Sequence, residues 1–232
     1  MKNLDESLLA DIPPFRKLDR SQIREILDLA TPKRINSGIP VFEEGFPASV
    51  FYLLLDGHIR VIRTTEDGDQ VIALHIGAGQ LFGLAVALGH DTSPATAMTV
   101  DECLVLSWPN SLWNGFIADY DGFATESYKI VGERMGELNN RLVEMATQHV
   151  EQRVACAVLR LINQTGKKVT HGIEIDFPVT RRNLAEMTGT TLHTVSRLLS
   201  TWGKLGVIKS TRSHIVVCDA PRLIALSENS LN

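Results

Sequence analysis

Cysteine is scarce in this 232-residue chain: Cys103, Cys156 and Cys218 stand 53 and 62 residues apart. That spacing supplies neither a disulfide framework nor a metal-ligand set. Long apolar runs are missing too. The longest stretches, such as Val50 to Leu55 and Gln80 to Leu88, fall far short of the ~20 residues that span a bilayer. The start, Met1 to Glu6, turns acidic at once and lacks the apolar core of a signal peptide. The expectation is a soluble, reduced, cytoplasmic protein. Enzyme motifs are equally absent. There is no phosphate-binding G-x-x-x-x-G-K-[ST], no H-E-x-x-H and no G-x-S-x-G. Gly77-Ala78-Gly79 alone is too weak to imply phosphate binding, and the close His/Glu ligand set of a cupin-type metalloenzyme is lacking. No metal site and no enzyme activity are expected.

The composition that remains, 44% hydrophobic and 22% charged, is that of a globular chain. Its net charge of −4 conceals an asymmetry. Residues 151–232 hold 11 Lys and Arg against 6 Asp and Glu, and residues 1–150 hold 12 against 21. A basic module joined to an acidic one points to a polyanion partner for the former, with chance clustering as the plainer reading.

Residues 1–34 read as a helical preface. Ile23, Ile26, Leu27 and Ala30 recur at helical spacing, with Asp19 as N-cap and Pro32 as stop. From Ile35 to Trp108 short apolar runs (Val41-Phe42, Phe51–Leu55, Ile59–Ile62, Val71–Ile76, Cys103–Ser107) alternate with glycines. That texture predicts a jelly-roll-like β-roll with a hairpin turn at Asp67-Gly68. A helix over roughly 121–148 follows. Tyr128, Val131, Met135, Leu138, Leu142, Met145 and His149 step along it by alternating threes and fours, the stripe of a coiled-coil seam. Homodimerisation through this face is expected, with a helix lying across the β domain as the alternative. Val154, Val158, Leu161 and Ile162 mark a further helix ending near Gly166, and 173–177 alternates like a strand.

Residues 178–217 carry the informative pattern. Thr180 caps a short helix through Met187, and Gly189 ends it in a tight turn. Thr190 or Thr191 caps a second helix with Leu192, Val195, Leu198, Leu199 and Trp202 inside. Its opposite face presents His193, Thr194, Ser196 and Arg197 at the leading end. That is a helix-turn-helix, whose second helix enters the major groove by that end. Two β runs, 207–209 and 214–217, flank the basic turn Ser210-Thr211-Arg212-Ser213, a wing able to touch phosphate.

This order of parts resembles the CRP/FNR superfamily of transcription regulators over nearly the whole chain. The carriers are Thr180-Arg181-Arg182, Gly189 and Thr194-Val195-Ser196-Arg197, with Gly57, Asp67-Gly68 and Gly79-Gln80-Leu81-Phe82-Gly83 in the roll. More narrowly, residues 187–197 are similar to the nitrogen-oxide-responsive NnrR branch, which activates denitrification genes. The resemblance implies an α+β chain of three parts. These are a cyclic-nucleotide-binding-type β-roll sensor over 1–120, a dimerisation helix over 121–149, and a winged helix-turn-helix over 150–232. It also implies a TTG-type half-site, RNA polymerase as partner and a regulon of nitric oxide and nitrite reduction.

Each DNA-facing residue has an expected role. Arg197 reads guanine O6 and N7 with its planar fork, or else pairs with a surface carboxylate. Ser196 bonds a base or meets a thymine methyl, or is merely solvated. Thr180, Arg181, Thr191 and Thr194 suit phosphate positioning. His193 stands where many relatives carry Glu. A half-site altered or loosened at one base pair would follow, unless the ring contacts only phosphate or water. In the sensor, Gly83-Leu84-Ala85 replaces the family's Gly-Glu-Leu, and Ser93-Pro94-Ala95-Thr96 lacks its Arg-Ser. Both grips on cyclic AMP are thus gone. No cysteine precedes Cys103, which leaves no N-terminal iron–sulfur ligands. Haem stays open through His58, His75 or His90, with no motif to select one. Cys103 and Cys156 read as buried inert thiols, with redox sensing as the sharper idea. Two rival readings remain: a regulator of another regulon that responds to another small molecule, a redox signal or its own abundance, and a module whose helix pairs with another protein.

Overall fold

The computed structural model describes residues 5–228; Met1 to Leu4 of the acidic start lie outside the described residues. The chain divides into two compact units, 1–63 with 74–137, and 64–73 with 138–232.

The first unit opens with α1 (Ser7–Ala10) and α2 (Arg20–Asp28). Asp19 caps α2 in a reciprocal box with Gln22, satisfying two helix-end donors at once. The helix ends at Asp28, and Pro32 is not its stop. Pro32 lies inside β1 (Thr31–Ile35), an edge strand where a missing N–H costs little. The remaining strands are β2 (Pro40–Phe42), β3 (Val50–Asp56), β4 (Ile59–Thr64), β5 (Gln70–Ile76), β6 (Leu81–Phe82), β7 (Thr96–Thr99) and β8 (Cys103–Pro109). They form two four-stranded sheets, β1-β8-β3-β6 and β2-β7-β4-β5. The expected hairpin turn is present, with Gly68 at φ +86°.

Alternation along the strands sends side chains to two cores. Leu54, Val105, Cys103 and Phe82 of one sheet meet Ile59, Ile76 and Ala97 of the other. The opposite faces of the same strands carry Phe51, Leu53, Leu106 and Trp108. These pack with Ile23, Ile26 and Leu27 of α2, with Trp113 and Phe116 of α3 (Trp113–Asp119), and with Phe123. Trp108 Nε1 donates to the Ile26 carbonyl at 2.8 Å, so the buried indole keeps a partner. Helix α4 (Asp121–Thr147) starts in this core. Its buried Glu126 accepts from Arg16 at 2.7 Å and pairs with Lys17 at 2.8 Å, and those cations hold the carboxyl below its ordinary range.

In the second unit α4 ends at Thr147, and His149, the last member of the expected seam, instead opens α5 (Val150–Thr165) as its N-cap. Gly166 follows α5, where the helix was expected to end. Its φ is −69°, and glycine is required because a Cβ would stand 2.2 Å from the Ile162 carbonyl oxygen. A four-stranded sheet of order β11-β12-β10-β9 comprises β9 (Gly166–Val169), β10 (Gly172–Ile175), β11 (Ile208–Ser210) and β12 (Ile215–Val217). Helices α6 (Arg181–Thr188), α7 (Leu192–Lys204) and α8 (Ala220–Glu228) complete the unit.

Candidate nucleic-acid interface

Helix α6 begins where a reciprocal cap dictates. The Thr180 hydroxyl accepts from the Asn183 N–H at 3.2 Å, and the Asn183 side chain accepts from the Thr180 N–H at 3.0 Å. Leu184, Ala185 and Met187 are buried beneath it. At its end Gly189 takes φ +59° and ψ +43°, a left-handed turn that sets α7 at an angle. Thr191 caps α7, accepting from the Thr194 N–H at 3.1 Å, and the two hydroxyls lie 3.0 Å apart.

Val195, Leu199 and Trp202 form the buried side of α7, with the Trp202 indole donating to Glu151 at 3.0 Å. Leu198 is half-buried, while Leu192, expected inside, is 48% exposed. It sits in the first turn of α7. What remains outward is the expected polar face: His193 and Arg197 exposed one turn apart, with Thr194 and Ser196 half-buried between them. Arg197 thus projects from a helix whose rotation is locked by three buried apolar side chains. Arg181 is half-buried and Thr180 is engaged in its cap, whereas exposed Arg212 tips the β11–β12 turn. Thr211 closes that turn, its N–H donating to the His214 carbonyl at 2.9 Å.

Two arginines have contacts that the sequence reading does not supply; Arg141 reads there only as one of the mixed charges flanking the seam. Arg153 Nε donates to the Thr188 carbonyl at 3.1 Å, and Arg141 donates to the Met187 carbonyl at 3.0 Å. Both cations satisfy carbonyls at the negative end of α6. Their partners are backbone atoms, so no pairwise residue pattern announces them.

The seam residues of α4 are apolar and open in the single chain. Tyr128 is 54% exposed, Met135 62%, Leu138 40%, Leu142 67% and Met145 47%; Val131 alone is half-buried, against the core of the roll.

In the roll, Leu84 and Ala85 are 7% and 5% exposed, and Leu84 joins the aromatic core. His58 Nδ1 lies 2.7 Å from Asp101 Oδ2, His75 is half-buried and His90 exposed. Among the described residues no group of three or more His, Cys, Asp or Glu side chains is placed to hold a metal ion. Cys103 is fully buried, and burial beside Asp101 pushes its thiol up to about 11. Cys156 is half-buried rather than buried, its thiol 3.6 Å from Gln148 Oε1. No described helix is long and apolar enough to cross a membrane.

Known proteins share this arrangement. Residues 32–120 match the cyclic nucleotide-binding domain family, and residues 152–226 match the Crp-like helix-turn-helix domain family. The chain is 22% identical over 218 residues to the CRP-like cAMP-activated global transcriptional regulator of Mycobacterium tuberculosis, covering 94% of this chain and 97% of that one. It is 24% identical over 214 residues to the nitrogen fixation regulation protein FixK of Bradyrhizobium diazoefficiens, covering 90% and 87%. The solved structure of FixK2 from Bradyrhizobium japonicum superposes with a TM-score of 0.77 at 21% identity, covering 87% of this chain and 98% of that one.

Proposed function

Given a chain that belongs to the CRP/FNR family of DNA-binding transcription regulators, we propose a homodimeric regulator that reads a near-palindrome with α7 and switches denitrification genes in response to nitrogen oxides. The observation that carries DNA reading is the outward face of α7. His193 and Arg197 are exposed near its capped N-terminus while Val195, Leu199 and Trp202 lock the opposite side. In this reading Arg197 takes a guanine edge, His193 and Ser196 adjust neighbouring positions, and Thr191, Thr194, Arg181 and Arg212 meet phosphates. The cap already engages the Thr180 hydroxyl, so its phosphate contact is made through its position at the α6 N-terminus.

Two copies joined along α4 place two α7 helices about one helical turn of DNA apart, which a palindrome mirrors. The open stripe from Tyr128 to Met145 supports that pairing, because an apolar seam in water is covered by its like. The sensor biases α4 packing and so the spacing of the reading heads. Support for the nitrogen-oxide assignment is the likeness of residues 187–197 to the NnrR branch. TTG-type half-sites and activation through RNA polymerase follow from the wider family resemblance, and a cytoplasmic location from the scarce cysteine and short apolar runs. Cyclic AMP is not the effector in this reading, since Leu84 lies in the core where a ribose acceptor would be needed. A second reading is that abundance alone sets activity.

Anaerobic binding of purified protein to a TTG-type palindrome, with and without nitric oxide, separates them. Binding that requires nitric oxide supports direct sensing. Full affinity without it supports control by abundance, and absence of salt-dependent specific binding refutes the DNA-reading role.

A further inference from the structure

Arg141 lies on α4, one turn before Met145 and on none of the expected seam positions. Its guanidinium collects three backbone carbonyls. Nη2 donates to Ile72 at 2.9 Å and to Met187 at 3.0 Å, and Nη1 donates to Ala73. Ile72 and Ala73 belong to β5, an edge strand of its sheet. Met187 belongs to the last turn of α6, whose final carbonyls have no partner within the helix. One rigid planar fork with five donors spans acceptors on two separate elements, whereas an ammonium gathers its three donors at a single point.

Two neighbours tighten the arrangement. Arg153 holds the adjacent Thr188 carbonyl at 3.1 Å and the Gln148 carbonyl at 2.9 Å. Met145 packs against the turn itself, its Cε 2.6 Å from where a Cβ on Gly189 would stand. The end of α6 therefore cannot pivot about Gly189 without breaking an arginine contact or displacing Met145.

We infer that Arg141 is the positioning residue for DNA reading: it ties the β4–β5 hairpin to the helix-turn-helix and sets the angle at which α7 is presented. This rests on the DNA-reading role proposed above. β5 is continuous in sequence with the roll, so a displacement of the hairpin reaches the α6 carbonyl through a single side chain. A rigid two-ended contact of this kind has two discrete states, engaged and released. Base contacts depend on the angle of α7, whereas phosphate attraction does not. Release therefore lowers specific binding and spares non-specific binding.

The test compares full-length wild type, Arg141→Met and Arg141→Lys. Each binds the duplex most enriched from a randomised pool and an unenriched duplex, across a salt series. Hydrogen exchange of residues 70–76 and 187–191 is followed without DNA. In R141M the specific-to-non-specific affinity ratio should fall roughly two- to thirtyfold, the scale on which coupling residues act. The non-specific affinity and salt slope should stay unchanged, exchange should quicken in both segments together, and R141K should lie between. A residue that served only stability would leave the ratio intact at temperatures well below unfolding. An unchanged ratio overturns the proposal, as does faster exchange in one segment alone. R141K carries the same test should R141M fail to fold. If the wild type enriches no sequence, DNA reading itself fails, and the exchange result still decides the link.

Discussion

Leu138 and Leu142 offer the sharpest test of the seam, because in the single chain a large part of each side chain is still open. They are 40% and 67% exposed. Complete burial of a leucine is worth ~1.5–3 kcal/mol. Scaled by the fractions still open, the pair withdraws roughly 2 kcal/mol of apolar surface per helix, and a two-fold dimer doubles that to about 4 kcal/mol. Leu138→Lys with Leu142→Lys should therefore raise the dimer dissociation constant about a thousandfold. Cations facing each other across the two-fold add to that loss. Sedimentation velocity over a dilution series reads the constant, and operator binding should fall with it. The monomer should keep its unfolding midpoint, since lysine suits a helix and both sites face solvent. Asn140→Lys, exposed on the same turns but off the stripe, should leave the dimer intact. An unchanged dissociation constant in the double variant would refute the seam. A lowered monomer midpoint would show that these leucines pack within their own chain.

Arg197→Ala should cost ~1–3 kcal/mol on the enriched duplex and flatten discrimination at one guanine; equal loss on every sequence would remove the base-reading role. Gly189→Ala places a Cβ at φ +59° and should destabilise by ~1–2 kcal/mol in urea unfolding, with Gly189→Asn milder because Asn tolerates that conformation. Adding Met145→Ala should relieve only the contact with the side-chain tip, so full recovery in the double variant would show that backbone strain is absent. Cys103 supplies a pH test. Its folded thiol lies above the ordinary value of 9.0, at about 11, so its contribution is complete below pH ~9 and fades as pH rises toward ~11. Wild type should lose stability across that window relative to Cys103→Ala, and parallel curves would count against the buried thiol.

Helical periodicity made α7 legible from sequence, because Val195, Leu199 and Trp202 repeat at the spacing that a packed helix requires. Thr180 and Thr191 were readable as caps for the same local reason. Leu192 shares that periodicity yet stands 48% exposed in the first turn, because periodicity assigns a face without saying how far along the helix the face is covered. The strands suffered differently. β6 has two residues, and β7 alternates over four with small Thr and Ala side chains. Neither presents an apolar run long enough to register. Pro32 reads as a helix stop in any linear scan, and only the sheet order shows that it occupies an edge.

Arg141 marks a deeper limit and a constraint on how the parts work together. Its acceptors are carbonyl oxygens of Ile72, Ala73 and Met187, which any side chain would leave in place. Met145, one turn on, has a double duty that the sequence shows only in half. Its spacing and 47% exposure put it in the seam, while its tip rests against the Gly189 turn. A partner helix packing on Met145 must restrict the same side chain that restricts the turn. Pairing along α4 and the presentation of α7 therefore share a residue. A substitution there should change dimer affinity and sequence discrimination together, where Leu142 should change discrimination only by dissolving the dimer. Met145→Ala at concentrations where the dimer is intact separates the two, and undiminished discrimination would confine Met145 to the seam.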